Sequence, residues 1–326
     1  QGYVSKYFEH LFKTPTYKAE LRRRTKGIVE GFWRLYSDDF YDIRVIVPPQ
    51  EEQTSIVKFV AGFDARTRHL IQKKNQLIKL LRERRRTIIN RTVTCGLDAG
   101  VQTKPSGITS MPIVPSHWDV APICSIATKK SIVNHAHLQL LSVYLDQGVI
   151  RFSDVNEKRA NATSDDLSRY QVVDPGDFVL NNQQAWRGSV GVSKHKGIVS
   201  PAYLVLEIDK KIDPEFANYL LRDQSMVDQY LMASKGVGTI QRNLYWPYLK
   251  RSSIVIPPWD EQTRIVEFLN SETASISHAL DRTTAEIALI QEYRDRLVAD
   301  VVTGKIDVSK DETFEGEDSF EPLIED

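Results

Sequence analysis

The chain states one segment twice, 209 residues apart. Ile46-Val47-Pro48-Pro49 leads into Glu52-Gln53-Thr54, Ile56-Val57 and Phe59, and Val255-Ile256-Pro257-Pro258 leads into Glu261-Gln262-Thr263, Ile265-Val266 and Phe268. The register holds without a gap from residues 46–98 to residues 255–307, with 17 identities in 53 pairs, where composition alone gives about 3. Solenoid units repeat every ~20–50 residues, so this period is that of a duplicated domain with its spacer. Two such copies packed face to face are related by a pseudo-twofold axis. That symmetry suits a partner that is itself twofold in character, as duplex DNA is.

Each Pro-Pro pair opens a helix: proline fixes φ where a donor is not needed, and the acids that follow favour the positive end of the helix dipole. The first spacer carries Phe63, Leu70, Leu77, Leu81 and Ile88 at spacings of seven and four, with Ile71 and Ile78 widening the stripe. The second carries Ile276, Leu280, Ile287, Ile290, Leu297 and Val301, the apolar seam of a long amphipathic helix. Their charges diverge. Residues 66–91 hold ten Lys or Arg and a single acid, Glu83, whereas the second helix offers Asp281, Glu286, Glu292, Asp295 and Asp300. An antiparallel pair with ends aligned sets Lys73 near Glu292, Lys79 near Glu286, Glu83 near Arg282 and Arg84 near Asp281. Such exposed pairs add little stability but fix orientation and partner. The basic run also suits contact with DNA phosphate, or a merely solvated face.

Between the spacers, residues 101–110 read as a polar loop with Pro105 and Gly107. From Met111 to about Ser253 short apolar runs alternate with turn signals. Residues 140–144, 170–173, 178–180, 190–192 and 203–208 read as strands, and 214–221 and 225–231 as helices. This is a mixed α/β unit. The opening 45 residues match only its end, near Asn218-Tyr219-Leu220-Leu221 and Leu244-Tyr245.

No run approaches the ~20 apolar residues of a membrane span, and no secretory signal is present. Cys95 and Cys124 fit a reducing, cytoplasmic setting, without the spacing of a metal site or a disulfide framework. Formal net charge is zero, yet residues 310–326 hold eight acids and one lysine, which leaves 42 basic and 35 acidic side chains in a mildly basic body. The tail reads as a solvated, disordered end, with a regulatory DNA mimic as the alternative.

Catalytic signatures are missing: no phosphate loop, GxGxxG, HExxH, Cys/His cluster or G-x-S-x-G. The Pro-Pro pairs follow Val47 and Ile256, not the Asn or Asp of an amino-methyltransferase motif. His135 and His137 have no third ligand nearby, so no metal is expected. The chain reads as a binding protein.

Two segments have the composition of a nucleic-acid reader. Pro175-Gly176-Asp177 makes a turn before Phe178-Val179-Leu180, and residues 181–189 then present Asn181, Asn182, Gln183, Gln184 and Arg187 around Trp186. Asn and Gln bond adenine bidentately and Arg does so with guanine. The second, residues 235–243, is glycine-rich with Lys235, Thr239, Gln241 and Arg242. A plain hairpin and an ordinary helix-to-strand connection are the bland readings, and Trp186 and Trp246 read as packing residues.

Together these residues resemble the specificity subunit of type I restriction-modification systems. The resemblance rests on the repeated hydrophobic-Pro-Pro-x-(Glu/Asp)-Glu-Gln, Ser116-His117-Trp118 after Pro115, Pro175-Gly176-Asp177, residues 185–189 as Ala-Trp-Arg-Gly-Ser, and residues 199–203 as Val-Ser-Pro-Ala-Tyr. It covers the chain except the acidic tail.

The resemblance implies an α+β fold. Target-recognition domains of α/β character alternate with long helices packed as an antiparallel coiled coil, with pseudo-twofold symmetry. The implied division is 1–45, the end of a first recognition domain; 46–100, a first helical spacer; 101–253, a second recognition domain; 254–308, a second spacer; and 309–326, the tail. It implies a non-catalytic subunit that reads a bipartite DNA sequence and docks two methyltransferase subunits, which use S-adenosylmethionine, and two restriction subunits, which use ATP and Mg. This chain itself is expected to bind no cofactor. A helix over residues 64–92 is about 43 Å long, against ~34–36 Å for one DNA turn, so the spacers suit a ruler between half-sites.

The family's first domain would precede Tyr3 by about 100 residues. Either the sequence is truncated, or it is a short form that needs a second copy of itself. Base reading is therefore assigned to Asn182, Gln183, Gln184, Arg187, Thr239, Gln241 and Arg242, and phosphate contact to Lys194, Lys235 and Arg159. Spacer packing is assigned to Leu70, Leu77, Leu81, Ile88, Leu280, Ile287, Ile290 and Leu297. Two rivals remain: a coiled-coil scaffold that binds only protein, and a methyltransferase or nuclease with an unfamiliar site.

Overall fold

The computed structural model describes residues 2–27, 33–145, 147–154, 166–237 and 241–308, the side chains of Val237 and Gln241 excepted. Two compact units divide the chain, one of residues 1–81 with 278–326 and one of residues 82–277.

The first unit opens with α1 (Ser5–Lys13) and α2 (Pro15–Arg24). Thr14 sits between them in extended conformation, as the residue before a proline must, so it ends one helix and starts the next. An isolated antiparallel bridge joins Lys26 and Arg34, α3 (Ser37–Tyr41) follows, and residues 43–49, without regular structure, lead into α4 (Gln50–Cys95). Tyr7, Leu11, Tyr17, Ile56, Phe59 and Val60 form its core with Val298, Val301 and Val302.

The second unit contains β1 (Thr103–Ile108), β2 (Met111–Pro115), β3 (Asp119–Pro122), β4 (Ala127–Lys130), β5 (Leu141–Tyr144), β6 (Gly148–Arg151), β7 (Gln171–Val173), β8 (Phe178–Asn181), β9 (Val190–Val192), β10 (Gly197–Val199) and β11 (Tyr203–Ile208). It continues with α5 (Pro214–Arg222), α6 (Gln224–Met232), β12 (Ser234–Val237), β13 (Gln241–Leu244), α7 (Trp246–Leu249), β14 (Ser253–Ile256) and α8 (Trp259–Val302), whose last part belongs to the first unit. A four-stranded antiparallel sheet in the order β4-β11-β8-β9 is its centre. Strand alternation sends Phe178, Leu180 and Leu206 into a cluster with Phe216, Leu220 and Tyr230, and sends Val179 and Val205 to the other face with Leu141, Val143 and Val199.

Two segments differ from expectation. Residues 103–108 are not loop: β1 pairs with β2 through a register shift between Pro105 and Ile108, where Gly107 takes a positive φ of 76°. In the glycine-rich segment, residues 234–237 and 241–244 are antiparallel strands, with Lys235 opposite Asn243 and Gly236 opposite Arg242. Both resemble loops in sequence because glycine and proline also mark bulges and hairpin edges.

Within the first unit α4 and α8 run antiparallel. The Arg294 guanidinium donates to both oxygens of Asp64 at 2.9 and 3.0 Å, Lys74 donates to Glu286 at 2.6 Å, and the Phe63 and Tyr293 rings meet edge-on at 6.1 Å. The expected register set Lys79 against Glu286, so the helices lie about one heptad away from it. A seven-residue apolar repeat fits itself again after such a slip, and charge selects among the alternatives.

The seam also differs. Val60, Asp64, Thr67, Ile71, Lys74, Ile78 and Leu81 are buried or half-buried at alternating spacings of four and three, and so are Leu280, Thr283, Ile287, Ile290, Arg294, Leu297 and Val301. Leu70 and Leu77, assigned to packing, are instead 46% and 44% exposed. They sit one position before Ile71 and Ile78, outside the stripe that Lys74 completes by burying its stem and pairing its head. Ile88, in the second unit, is half-buried against that unit's core.

The offset of 209 extends upstream of the spacers. Val4 and Asp213 are the N-caps of α1 and α5, and Thr14 and Asp223 those of α2 and α6. The pair Lys26–Arg34 answers to Lys235–Asn243, and Ser37 at the start of α3 answers to Trp246 at the start of α7. Backbone bonds recur in step: Thr14 to Leu11 and Asp223 to Leu220, Phe40 to Tyr36 and Leu249 to Tyr245.

Candidate nucleic-acid interface

The segment after β8 is built by its glycine and its buried alanine. Ala185 is fully buried, residues 185–187 make one 3-10 turn, and Gly188 returns the chain at φ +96°, a conformation that penalises any Cβ. Ser189 then donates to the Val143 carbonyl at 3.0 Å. The turn thus has little freedom, and Trp186 and Arg187 are presented by a fixed frame.

The two suspected reading segments meet. The Leu244 amide of β13 donates to the Asn182 carbonyl at 2.9 Å, and Trp186 stands between guanidinium groups from both. Arg187 lies 4.5 Å from its ring centroid and Arg242 6.0 Å, the geometry of a cation over an aromatic face. Trp186 donates its indole N–H to the Gln183 carbonyl at 2.9 Å, which locks the ring that both arginines use. The half-buried tryptophan is a shelf, more than the packing residue expected.

Lys235 lies 4.3 Å from the Tyr248 ring centroid and donates to its hydroxyl. Among the described residues, none of Arg187, Arg242 and Lys235 pairs with a carboxylate. Two guanidinium groups on one aromatic ring can bind an anion or reach the edge of a base, while Lys235, beside the position opposite Arg242 in the ladder, lies by strand alternation on the other face of the hairpin with Tyr248.

The other assigned residues divide. Gln183 is exposed and Gln184 half-buried beside the shelf. Asn182 is an anchor as much as a reader: its amide oxygen is buried without a hydrogen-bond partner among the described residues, and its backbone holds β13. Gln241 is opposite Val237 in the hairpin, its side chain lying outside the described residues, as do Thr239 and Arg159. Lys194 is not brought to the cluster. It follows β9 at the end where Val192 pairs with Phe178, the start of β8, whereas the shelf follows the far end of β8. There it donates to Glu215 at 2.8 Å and holds that carboxyl below its usual range.

Beside Asn182 a cavity of about 430 Å³ is lined by Lys129, Asn134, Arg169, Gln171 and Tyr203 among others. Of these, sequence reading singles out only Tyr203, as the end of the Val-Ser-Pro-Ala-Tyr motif. The pair Lys129-Lys130 is the available signal: alternation in β4 turns Lys129 outward and Lys130 onto Asp174 and Asp177, 2.7 Å from each. That ion group explains Pro175-Gly176-Asp177, with Gly176 at φ +95°. Lys130 hydrogen bonding holds Asp174 below the usual carboxylate range, while burial pushes Asp177 above it.

The remaining motifs are structural within this unit. Glu261 accepts from the Trp118 indole at 3.0 Å and pairs with the His117 ring at 2.7 Å. The His135 and His137 rings lie 5.9 Å apart and tilted by 46°, and the described residues hold no group of three side chains suited to a metal.

No protein-family model matches the chain. It is 25% identical over 305 residues, 88% of its length, to the type I restriction enzyme MjaVIII specificity subunit of Methanocaldococcus jannaschii, and 24% identical over 273 residues to the putative MjaX specificity subunit of that organism. The chain spans 67% and 60% of those relatives' own lengths. Among solved structures, a chain from a study of complex assembly and conformational transition in the type I restriction-modification system matches 92% of this chain and 71% of its own, with TM-score 0.65 at 14% identity. The HsdS subunit of Thermoanaerobacter tengcongensis matches 93% of this chain and 71% of its own, with TM-score 0.51 at 17% identity.

Proposed function

We propose, for a chain that belongs with the specificity subunits of type I restriction-modification enzymes, that it is the non-catalytic DNA-recognition subunit of such a complex. Its second unit reads one half-site of a bipartite target. The observation that carries this is the meeting of two segments more than 50 residues apart on one tryptophan, with Arg187 and Arg242 on its ring. In this reading Arg187 and Arg242, with Gln183 and Gln184, contact base edges in the major groove, and Lys235 contacts phosphate. Asn182 sets the frame from which they reach.

The helices are the docking platform. Leu70, Leu77 and Leu80 on α4 and Leu289 and Tyr293 on α8 are exposed, and apolar groups on an otherwise charged pair of helices suit partner helices. Two methyltransferase subunits would dock there and supply S-adenosylmethionine, and two restriction subunits would supply ATP and Mg. The chain contributes sequence choice and no cofactor. No helix among the described residues is long and apolar enough to cross a membrane, and a cytoplasmic, DNA-associated location suits the reading.

Mapping methylated adenines in a genome that expresses the complex identifies the target. Replacing both Arg187 and Arg242 with Ala should weaken binding to that target by about 1–3 kcal/mol per lost base contact and relax the sequence at the corresponding positions. Unchanged sequence preference in that double variant would sink the assignment.

A further inference from the structure

The first unit holds a copy of the hairpin frame. At the common offset Thr25, Lys26, Gly27, Leu35 and Tyr36 match Ser234, Lys235, Gly236, Leu244 and Tyr245. Lys26 and Arg34 exchange both backbone hydrogen bonds at 2.9 Å, where Lys235 opposes Asn243 in the second unit. The frame lysine is held from the same position in both copies, by a carboxylate in the first and by a phenol in the second. Lys26 lies 5.9 Å from the Tyr36 ring centroid and donates to Asp39, and Lys235 lies over and donates to Tyr248, which stands at the position of Asp39.

Each copy also carries a tryptophan and an arginine in contact, but from different positions. In the second unit Arg242 approaches Trp186, whereas in the first Trp33 stands at the position of Arg242 and carries the Arg22 guanidinium 4.9 Å from its centroid. A pair rebuilt from other residues on one frame marks a shared task more than shared descent. Trp33 and Tyr36 are 42% and 52% exposed. Arg23 and Arg24 are tied to Glu20, but Arg22 and Arg34 pair with no carboxylate among the described residues.

We propose that Arg22 and Arg34, with Trp33 as the shelf under Arg22, form a second DNA contact made to backbone phosphate and not to base edges, Lys26 being held by Asp39. The assignment to phosphate follows from composition. The second unit surrounds its shelf with Gln183 and Gln184, whereas the described part of the first hairpin offers cations and aromatic rings without a side-chain amide. Cations without amide partners bind the polyanion and carry little sequence information. The inference rests on the reading that this chain binds DNA, and its test separates the two.

The experiment measures DNA affinity against salt for the full chain in complex with its methyltransferase subunits, using a duplex with the mapped target and one without it. Replacing Arg22 and Arg34 together with Gln should weaken both duplexes alike and reduce the slope of log affinity against log salt by about one for each lost phosphate contact. Trp33→Phe, which keeps a ring under Arg22, should retain most of that slope. If the Arg22/Arg34 variant keeps affinity and slope while the Arg187/Arg242 variant loses binding, the second contact is wrong and the proposed function stands. If neither pair affects binding, the DNA reading itself fails. A weakening confined to the target duplex would overturn the phosphate assignment.

Discussion

The two units share one frame and differ in what covers it. Leu249, Ile254 and Val255 are fully buried in the second unit, while their counterparts Phe40, Val45 and Ile46 are 39%, 36% and 48% exposed in the first. The polypeptide path is the same, and so are the backbone bonds around Phe40 and Leu249. What differs is the cover. In the second unit β3 pairs with β14, setting Val120 opposite Val255, and Trp118 and Ile123 join the same core. Among the described residues of the first unit no strand pairs with residues 44–47. The frame is therefore specified by its own local bonds, and its apolar face records whatever packs on it.

The sharpest way to break that comparison is truncation at equivalent faces. Ile254→Ala removes a fully buried side chain and should cost about 2–5 kcal/mol, while Val45→Ala, at its counterpart, which is 36% exposed, should cost well under half as much. Thermal unfolding of the full chain with hydrogen exchange read out for each unit checks this, because two units need not unfold as one. Equal losses of protection would show that the exposed face is covered in solution.

The glutamines of the duplicated motif should behave alike. Gln53 accepts from the Val4 amide at 2.9 Å and donates to the Pro48 carbonyl at 2.8 Å; Gln262 accepts from the Asp213 amide at 2.8 Å and donates to the Pro257 carbonyl at 2.9 Å. Each is buried and ties the start of one helix to the residue that caps another. Replacement by Ala leaves those backbone groups buried and unpaired, at about 1–3 kcal/mol, and the two variants should lose similar protection in their respective units. A large effect at Gln262 with none at Gln53 would mean that only one copy retains the frame's function.

Much of this is legible in the sequence, and the reasons are specific. Pro-Pro-x-x-Glu-Gln marks both helix starts because each residue has a local role there. The strand at residues 203–208 can be bounded to the residue because it is an apolar run, interrupted only by Glu207, between Pro201-Ala202 and Asp209. The hairpins escape because their signals are glycines and prolines that loops share, and the coil register escapes because a seven-residue repeat matches itself after each heptad. In the site, composition finds Arg187 and Arg242 but not that Trp186 joins them, since contact across 55 residues depends on the β13 amide meeting Asn182. Lys194 is misplaced because a sequence does not say which end of a strand pair faces the partner.

The smallest expected difference lies at the caps between paired helices, where the two copies reach one geometry by different means. Asp223 accepts from the Ser225 amide at 2.9 Å and from the Asn90 side chain at 2.8 Å, so its carboxylate satisfies a buried helix donor and holds α4 to α6. Thr14, its counterpart, makes no side-chain cap and donates to Leu11 instead. The amide that Asp223 caps is that of Ser225, whose counterpart is Thr16, so Pro15 presets φ at the start of α2 without removing the donor; α5 likewise starts at Pro214, yet Asp213 accepts from the Glu215 and Phe216 amides. Asp223→Ala should therefore cost about 1–2 kcal/mol, and Thr14→Ala only a few tenths beyond the loss of its own bond. Thr14→Asp, which introduces the residue type that the other copy carries as Asp223, offers a carboxylate to the Thr16 amide and gives up the bond to Leu11, so its gain should stay below the loss in Asp223→Ala. Thermal midpoints of the parent and the three single variants measure that ranking, and a Thr14→Asp gain as large as the Asp223→Ala loss would show that the bond from Asn90 adds nothing to the second cap.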